Sequence, residues 1–119
     1  MENLKNPILD TADQFISAAK EELCKPEEDV VPYSVCWNAY RAVTNYLGSF
    51  LNEKGKEFQD SDNLEDLLKQ CREIDGKFHG LNLSPMYRRA DTEDVWMNLD
   101  MANDFIEMAE NTRKVISGE

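Results

Sequence analysis

Two short basic clusters hold the side chains of this chain with the most evident chemistry. Arg72 and His79 are separated by six residues, at the expected end of a helix. A guanidinium can stabilise a phosphate oxyanion, and an imidazole moves protons near neutral pH. Together they could cleave RNA without a metal. The plainer reading puts Arg72 in a helix-surface ion pair with the neighbours of Lys69 or with Asp75 and makes His79 an ordinary loop residue. The second cluster is Tyr87-Arg88-Arg89. Arginine forks match phosphate geometry, and a tyrosine ring offers a stacking face for a base. From Gly76 to Ala90 the chain carries Lys77, Arg88 and Arg89 and no acid. If a nucleotide binds, Lys77, Tyr87, Arg88 and Arg89 are the expected contacts. The alternative is a tyrosine packed on the fold, with both arginines paired to acids of the last helix.

Other chemistries lack their residues. A di-iron bundle needs Glu-x-x-His on paired helices, and the single histidine, His79, has no glutamate at that spacing. Gly-rich phosphate loops and Gly-x-Ser-x-Gly are absent. Cys24, Cys36 and Cys71 include no Cys-x-x-Cys pair, which argues against zinc. Neither a metal nor another cofactor is expected. An odd cysteine count without a signal peptide suggests reduced thiols and a cytoplasmic location. Cys36 and Cys71 fall at apolar helical positions and read as core residues. No apolar run is long enough to cross a bilayer.

The formal charge is −11 over 119 residues. It is unevenly spread: residues 1–30 hold eight acids and three bases, and residues 91–119 hold eight acids and two bases, whereas the middle is balanced. Acidic ends repel a phosphate backbone at long range, so a DNA-binding role is not expected.

These residues must be positioned by helices, because helical period dominates the sequence. Asn6-Pro7 has the form of a helix start, and Ile8, Ala12, Phe15, Ile16, Ala19 and Leu23 then make one apolar stripe. Lys25-Pro26 stops it, and residues 27–31 form a polar connector. Pro32 and Ser34 open a second helix with apolar residues at Val35, Cys36, Ala39, Val43, Tyr46, Leu47, Phe50 and Leu51. Trp37, Tyr40 and Ala42 add further apolar surface, so this helix is expected to be the most buried. Gly55 ends it. Ser61 or Asp62 is expected to cap a third helix with Leu64, Leu67, Leu68, Cys71 and Ile74 on one face, ending near Gly76. Lys77 to about Trp96 reads as a long irregular segment, with room for a short helical turn. A last helix, starting between Asp94 and Asn98, presents Met97, Met101, Phe105, Met108 and Thr112, with the methionines as core filler. The expectation is one all-α domain over residues 1–119, a four- to five-helix up-and-down bundle.

Three segments resemble the HEPN family (higher eukaryote and prokaryote nucleotide-binding). Ser34 to Leu47, continuing to Leu51-x-x-x-Gly55, resembles the family's central helix. Asp62-Asn63-Leu64-Glu65-Asp66-Leu67-Leu68 resembles the start of its third helix, where a histidine often stands at the place of Asp62. Tyr87-Arg88-Arg89-Ala90-Asp91 resembles an Arg-Tyr-Pro-like stretch before its last helix. Element order matches along nearly the whole chain. The resemblance implies a HEPN-like bundle, often a homodimer, that binds a nucleotide or RNA or docks a nucleotidyltransferase-type partner without robust catalysis of its own. It also implies an alternative, a metal-independent, toxin-like ribonuclease. That signature pairs arginine and histidine near the start of the last long helix; Arg72 and His79 lie earlier, and no histidine follows Tyr87-Arg88-Arg89. A third possibility is a structural dimer using Trp37, Tyr40, Trp96 and the methionines as a contact patch.

Overall fold

In the first helix a proline, which has no N–H to leave unpaired, occupies the opening turn. The computed structural model describes residues 7–56, 63–87 and 98–117, with the side chains of Pro85 and Tyr87 excepted. Helix α1 spans Pro7–Leu23. A short 3-10 turn at Glu27–Asp29 leads into α2, Pro32–Glu53. Helix α3 is Leu64–Ile74, a second 3-10 turn covers Gly76–Gly80, α4 is the single turn Ser84–Tyr87, and α5 runs Leu99–Ser117. Among the described residues there is no strand, and no helix is long and apolar enough to cross a membrane. The chain is an all-α bundle.

Helix α2 is its axis. Every residue from Ala42 to Leu51 is buried, because α1, α3 and α5 all pack on it. A helix enclosed on all sides must satisfy its polar side chains internally. Thr44 and Asn45 donate to Arg41 O at 3.0 and 2.8 Å, and Ser49 donates to Tyr46 O at 2.8 Å. The facing stripes rely on small residues: Ala12 and Ala19 on α1, Ala39 and Ala42 on α2, Ala102 and Ala109 on α5, all fully buried. Small contact residues let helix axes approach closely.

The ends of α2 differ in their chemistry. At its start Val31 is extended and offers no side-chain cap; its N–H is taken by Glu22 Oε2 at 2.9 Å, which fixes the turn from α1. At its end Gly55 has φ +82°, the Gly55 N–H donates to Asn52 O at 3.1 Å, and the Lys56 N–H donates to Leu51 O at 2.9 Å. That pair of bonds is a Schellman closure, and it needs a residue free of the left-handed penalty.

One boundary departs from the sequence expectation. The α3 cap is Asn63, whose Oδ1 accepts from Glu65 N at 2.7 Å and Asp66 N at 3.4 Å; Ser61 and Asp62 precede it. The segment after α3 is not wholly irregular, since Phe78, Leu81, Leu83 and Met86 anchor the 3-10 turn and α4 in the core. At the last helix Asn98 Oδ1 accepts from Met101 N at 2.7 Å. Helix α5 buries Ala102, Phe105, Ile106, Met108, Ala109 and Thr112, so Met108 is core as expected. Asn6, Trp96, Met97 and Gly118 lie outside the described residues.

Two ion pairs give the relative direction of α1 and α5. Asp13 meets Arg113 at 3.1 Å and Lys20 meets Glu110 at 2.5 Å. As numbering rises on α1 it falls on α5, so the helices are antiparallel, as alternation in a four-element bundle requires. Tyr46, fully buried on α2, donates its hydroxyl to the same Asp13 Oδ1 at 2.5 Å. Burial and the neighbouring carboxylate push the Tyr46 phenol well above its usual range.

Candidate functional site

Arg72, Lys77 and His79 lie where α3 hands over to the 3-10 turn. Asp75 ends the helix, and its Oδ1 accepts from the Lys77 N–H at 3.0 Å. Asp75 therefore caps the turn and does not pair with Arg72, contrary to the plainer sequence reading. Arg72, half-buried on the last turn of α3, reaches forward instead. Its Nε donates to Phe78 O at 3.3 Å and its Nη2 to Leu81 O at 2.8 Å. One guanidinium thus bonds both ends of a four-residue stretch and holds it against the helix. Phe78 O also accepts the Leu81 N–H at 3.1 Å, and a charged donor added to main-chain carbonyls is a strong local tie.

This tie bears on the Arg72–His79 pair. The two residues share one turn, since Arg72 binds the carbonyl of the residue just before His79. His79 itself is exposed, and its Cδ2 lies 3.8 Å from where a Cβ on Gly76 would stand. Among the described residues no hydrogen bond joins Arg72 to His79. The arginine spends two of its donors on the fold.

Lys77 is exposed at the head of the turn, and its ammonium lies 5.3 Å from the centre of the Phe50 ring and 5.7 Å from that of Phe78. Lys54, at the C-cap of α2, lies 5.4 Å from the same Phe50 ring. Phe50 and Phe78 pack edge to face with centres 4.7 Å apart. Two cations from different elements therefore converge on one aromatic ring, no more than about 11 Å from each other. Each contact stabilises by about 0.5–1 kcal/mol at an exposed site. The like charges repel at this range, which is close to the screening length of physiological salt. An anion placed between them relieves that repulsion.

Tyr87 ends α4, whose first turn is set by Asn82 Oδ1 accepting from Ser84 N at 3.1 Å and Ser84 Oγ at 2.9 Å. The Tyr87 side chain, Arg88 and Arg89 lie outside the described residues. Of the expected contacts, Lys77 is therefore placed beside Arg72 and His79. Lys54 and Phe50 were missed by sequence reasoning. The one signal available was a lysine immediately before the glycine that ends α2, where cations are favoured by the helix dipole.

Two of the three thiols are sealed in the core. Burial pushes Cys36 and Cys71 each up to about 12, so both stay protonated near neutrality. Cys71 Sγ donates weakly to Leu47 O at 3.8 Å. Cys24 is exposed. Among the described residues no group of three His, Cys, Asp or Glu is placed to hold a metal ion. Compared with protein-family models, curated proteins and solved structures, the chain has no match.

Proposed function

We propose that the chain is a HEPN-like module that binds the phosphate of a nucleotide or an RNA end, at the end of the bundle where α2 finishes and the Gly76–Gly80 turn begins. The observation that carries this reading is the convergence of Lys54 and Lys77 on the Phe50 ring, within a chain of net charge −11. The adjoining acid-free stretch continues to Tyr87, Arg88 and Arg89, which the sequence offers as base-stacking and phosphate contacts. In this reading catalysis belongs to a partner of the nucleotidyltransferase type, and the chain acts as a homodimer. A ribonuclease built on Arg72 and His79 is less well supported, because the Arg72 guanidinium already donates to Phe78 O and Leu81 O.

The test is calorimetric titration with ATP and with adenosine, each at low and at physiological salt. ATP should bind more tightly than adenosine, and more weakly as salt rises. The double variant Lys54→Gln/Lys77→Gln should lose roughly tenfold in ATP affinity, the equivalent of one charge-assisted contact. Equal binding of adenosine, or unchanged affinity in the double variant, would refute the site.

A further inference from the structure

A second charged surface lies away from the turn. A groove of about 460 Å³ runs between α1 and α5, a volume within the range of small-molecule sites. Its walls carry two rungs of opposite charge, Asp13 with Arg113 and Lys20 with Glu110. These side chains are 42–53% exposed, so each rung adds little to stability. The charges do not balance, because Lys114 also lines the groove. Among the described residues Lys114 has no ion-pair partner. It adjoins Arg113, so two cations line the Asp13 end of the groove. Ser17 lines the opposite wall, one helical turn on from Asp13, with a hydroxyl able to donate. Ile16, nearly buried, supplies an apolar contact on the same wall.

Behind this end stands a rigid support. Asp13 Oδ1 accepts at once from the buried Tyr46 hydroxyl and from Arg113 Nε. The carboxylate is held in place from α2, and the arginine is oriented by it. A surplus ammonium beside an oriented guanidinium, with a hydroxyl across a ligand-sized groove, is the arrangement that receives an oxyanion.

We propose that the α1–α5 groove binds a small organic anion, its carboxylate or phosphate head seated between Lys114 and Ser17 beside Arg113. The site shares no residue with the Lys54–Lys77 surface, and the two readings stand or fall separately.

The probes are malate for a carboxylate head and glycerol 3-phosphate for a phosphate head, titrated separately into the full chain with backbone amide shifts followed by NMR. The expected result with at least one probe is saturable shifts confined to residues 13–20 and 110–114, weakening as salt rises. The probe that saturates identifies the head group. Lys114→Gln, which breaks no ion pair among the described residues, should weaken binding roughly tenfold. Ser17→Ala should weaken it severalfold, and Lys54→Gln should leave it unchanged. The inference is overturned if neither probe saturates at millimolar concentration. It is also overturned if shifts scatter over lysines throughout the chain, or if Lys114→Gln binds as well as the unaltered protein.

Discussion

Replacing Arg72 with alanine separates a structural arginine from a catalytic one. The side chain donates twice, to Phe78 O at 3.3 Å and to Leu81 O at 2.8 Å. Hydrogen bonds to a charged group each contribute about 1.5–3 kcal/mol net. The first bond is long, and Arg72 is only half-buried, so water can recover part of the loss. The expected cost is therefore about 2–3 kcal/mol in total, near the lower sum of the two bonds. For a domain of this size that corresponds to a fall in melting temperature of roughly 8–12 °C. Arg72→Lys should recover less than half, since an ammonium lacks the fork that spans two carbonyls. Urea titration measures the cost, and hydrogen exchange locates it. Protection should fall selectively over residues 76–83, while the amides of α1 and the centre of α2 change only by the global loss. Unchanged stability and unchanged exchange in that turn would show that the two bonds do not hold it, and would return Arg72 to the list of candidate catalytic groups.

Three further outcomes follow from the packing. Tyr46→Phe removes the hydroxyl bonded to Asp13 and should cost about 1–2 kcal/mol by urea titration, because the half-exposed carboxylate keeps Arg113 and gains water. The Tyr46 phenol is raised above its ordinary value of 10.0, so its contribution is complete below pH 10 and is lost as pH climbs beyond it. The alkaline limb of the stability curve should accordingly be shallower in Tyr46→Phe, and a limb of unchanged slope would count against the assignment. Gly55→Ala meets open space but must adopt φ +82°, so chemical denaturation should show a loss of about 1–2 kcal/mol from backbone strain alone. Glu22 is held below its ordinary value of 4.5 by the Val31 N–H and then by Lys25. Its contribution is present above pH 4.5 and disappears as pH falls through the lowered value, so Glu22→Gln should flatten stability against pH in that acid window and not near neutrality.

The helices were legible because their punctuation is local. Pro7, Pro32 and Gly55 act through their own backbone, and each marks a real boundary. The burial of α2 was legible from apolar residues on every side of it. The third cap was misread because Asp62-x-x-Glu65 has the spacing of a capping box, whereas Asn63 makes the bonds. The turn after α3 looked irregular because Phe78, Leu81, Leu83 and Met86 follow neither helical nor strand period, yet all are buried. The candidate site was the least legible part. Arg72 bonds to main-chain carbonyls, which carry no residue-type signature, and Lys54 meets Lys77 only through the fold. The tie of Asp13 to Tyr46 and Arg113 joins three helices across 33 and 100 residues, and nothing in the spacing of those residues announces it.

The central position of α2 has a consequence for the order in which the molecule assembles. Its seam with α1 joins neighbours across a short connector, so closing it costs little chain entropy. Its seam with α5 cannot form until α3 and α4 have been made and placed. A chain emerging from synthesis can complete the α1–α2 hairpin early, but its Ala42–Leu51 belt then stays bare on the side that Phe105, Met108 and Ala109 later cover. That interval exposes a continuous apolar surface to other chains. Docking of the last helix therefore completes the core and also ends the period in which the protein is most prone to aggregate.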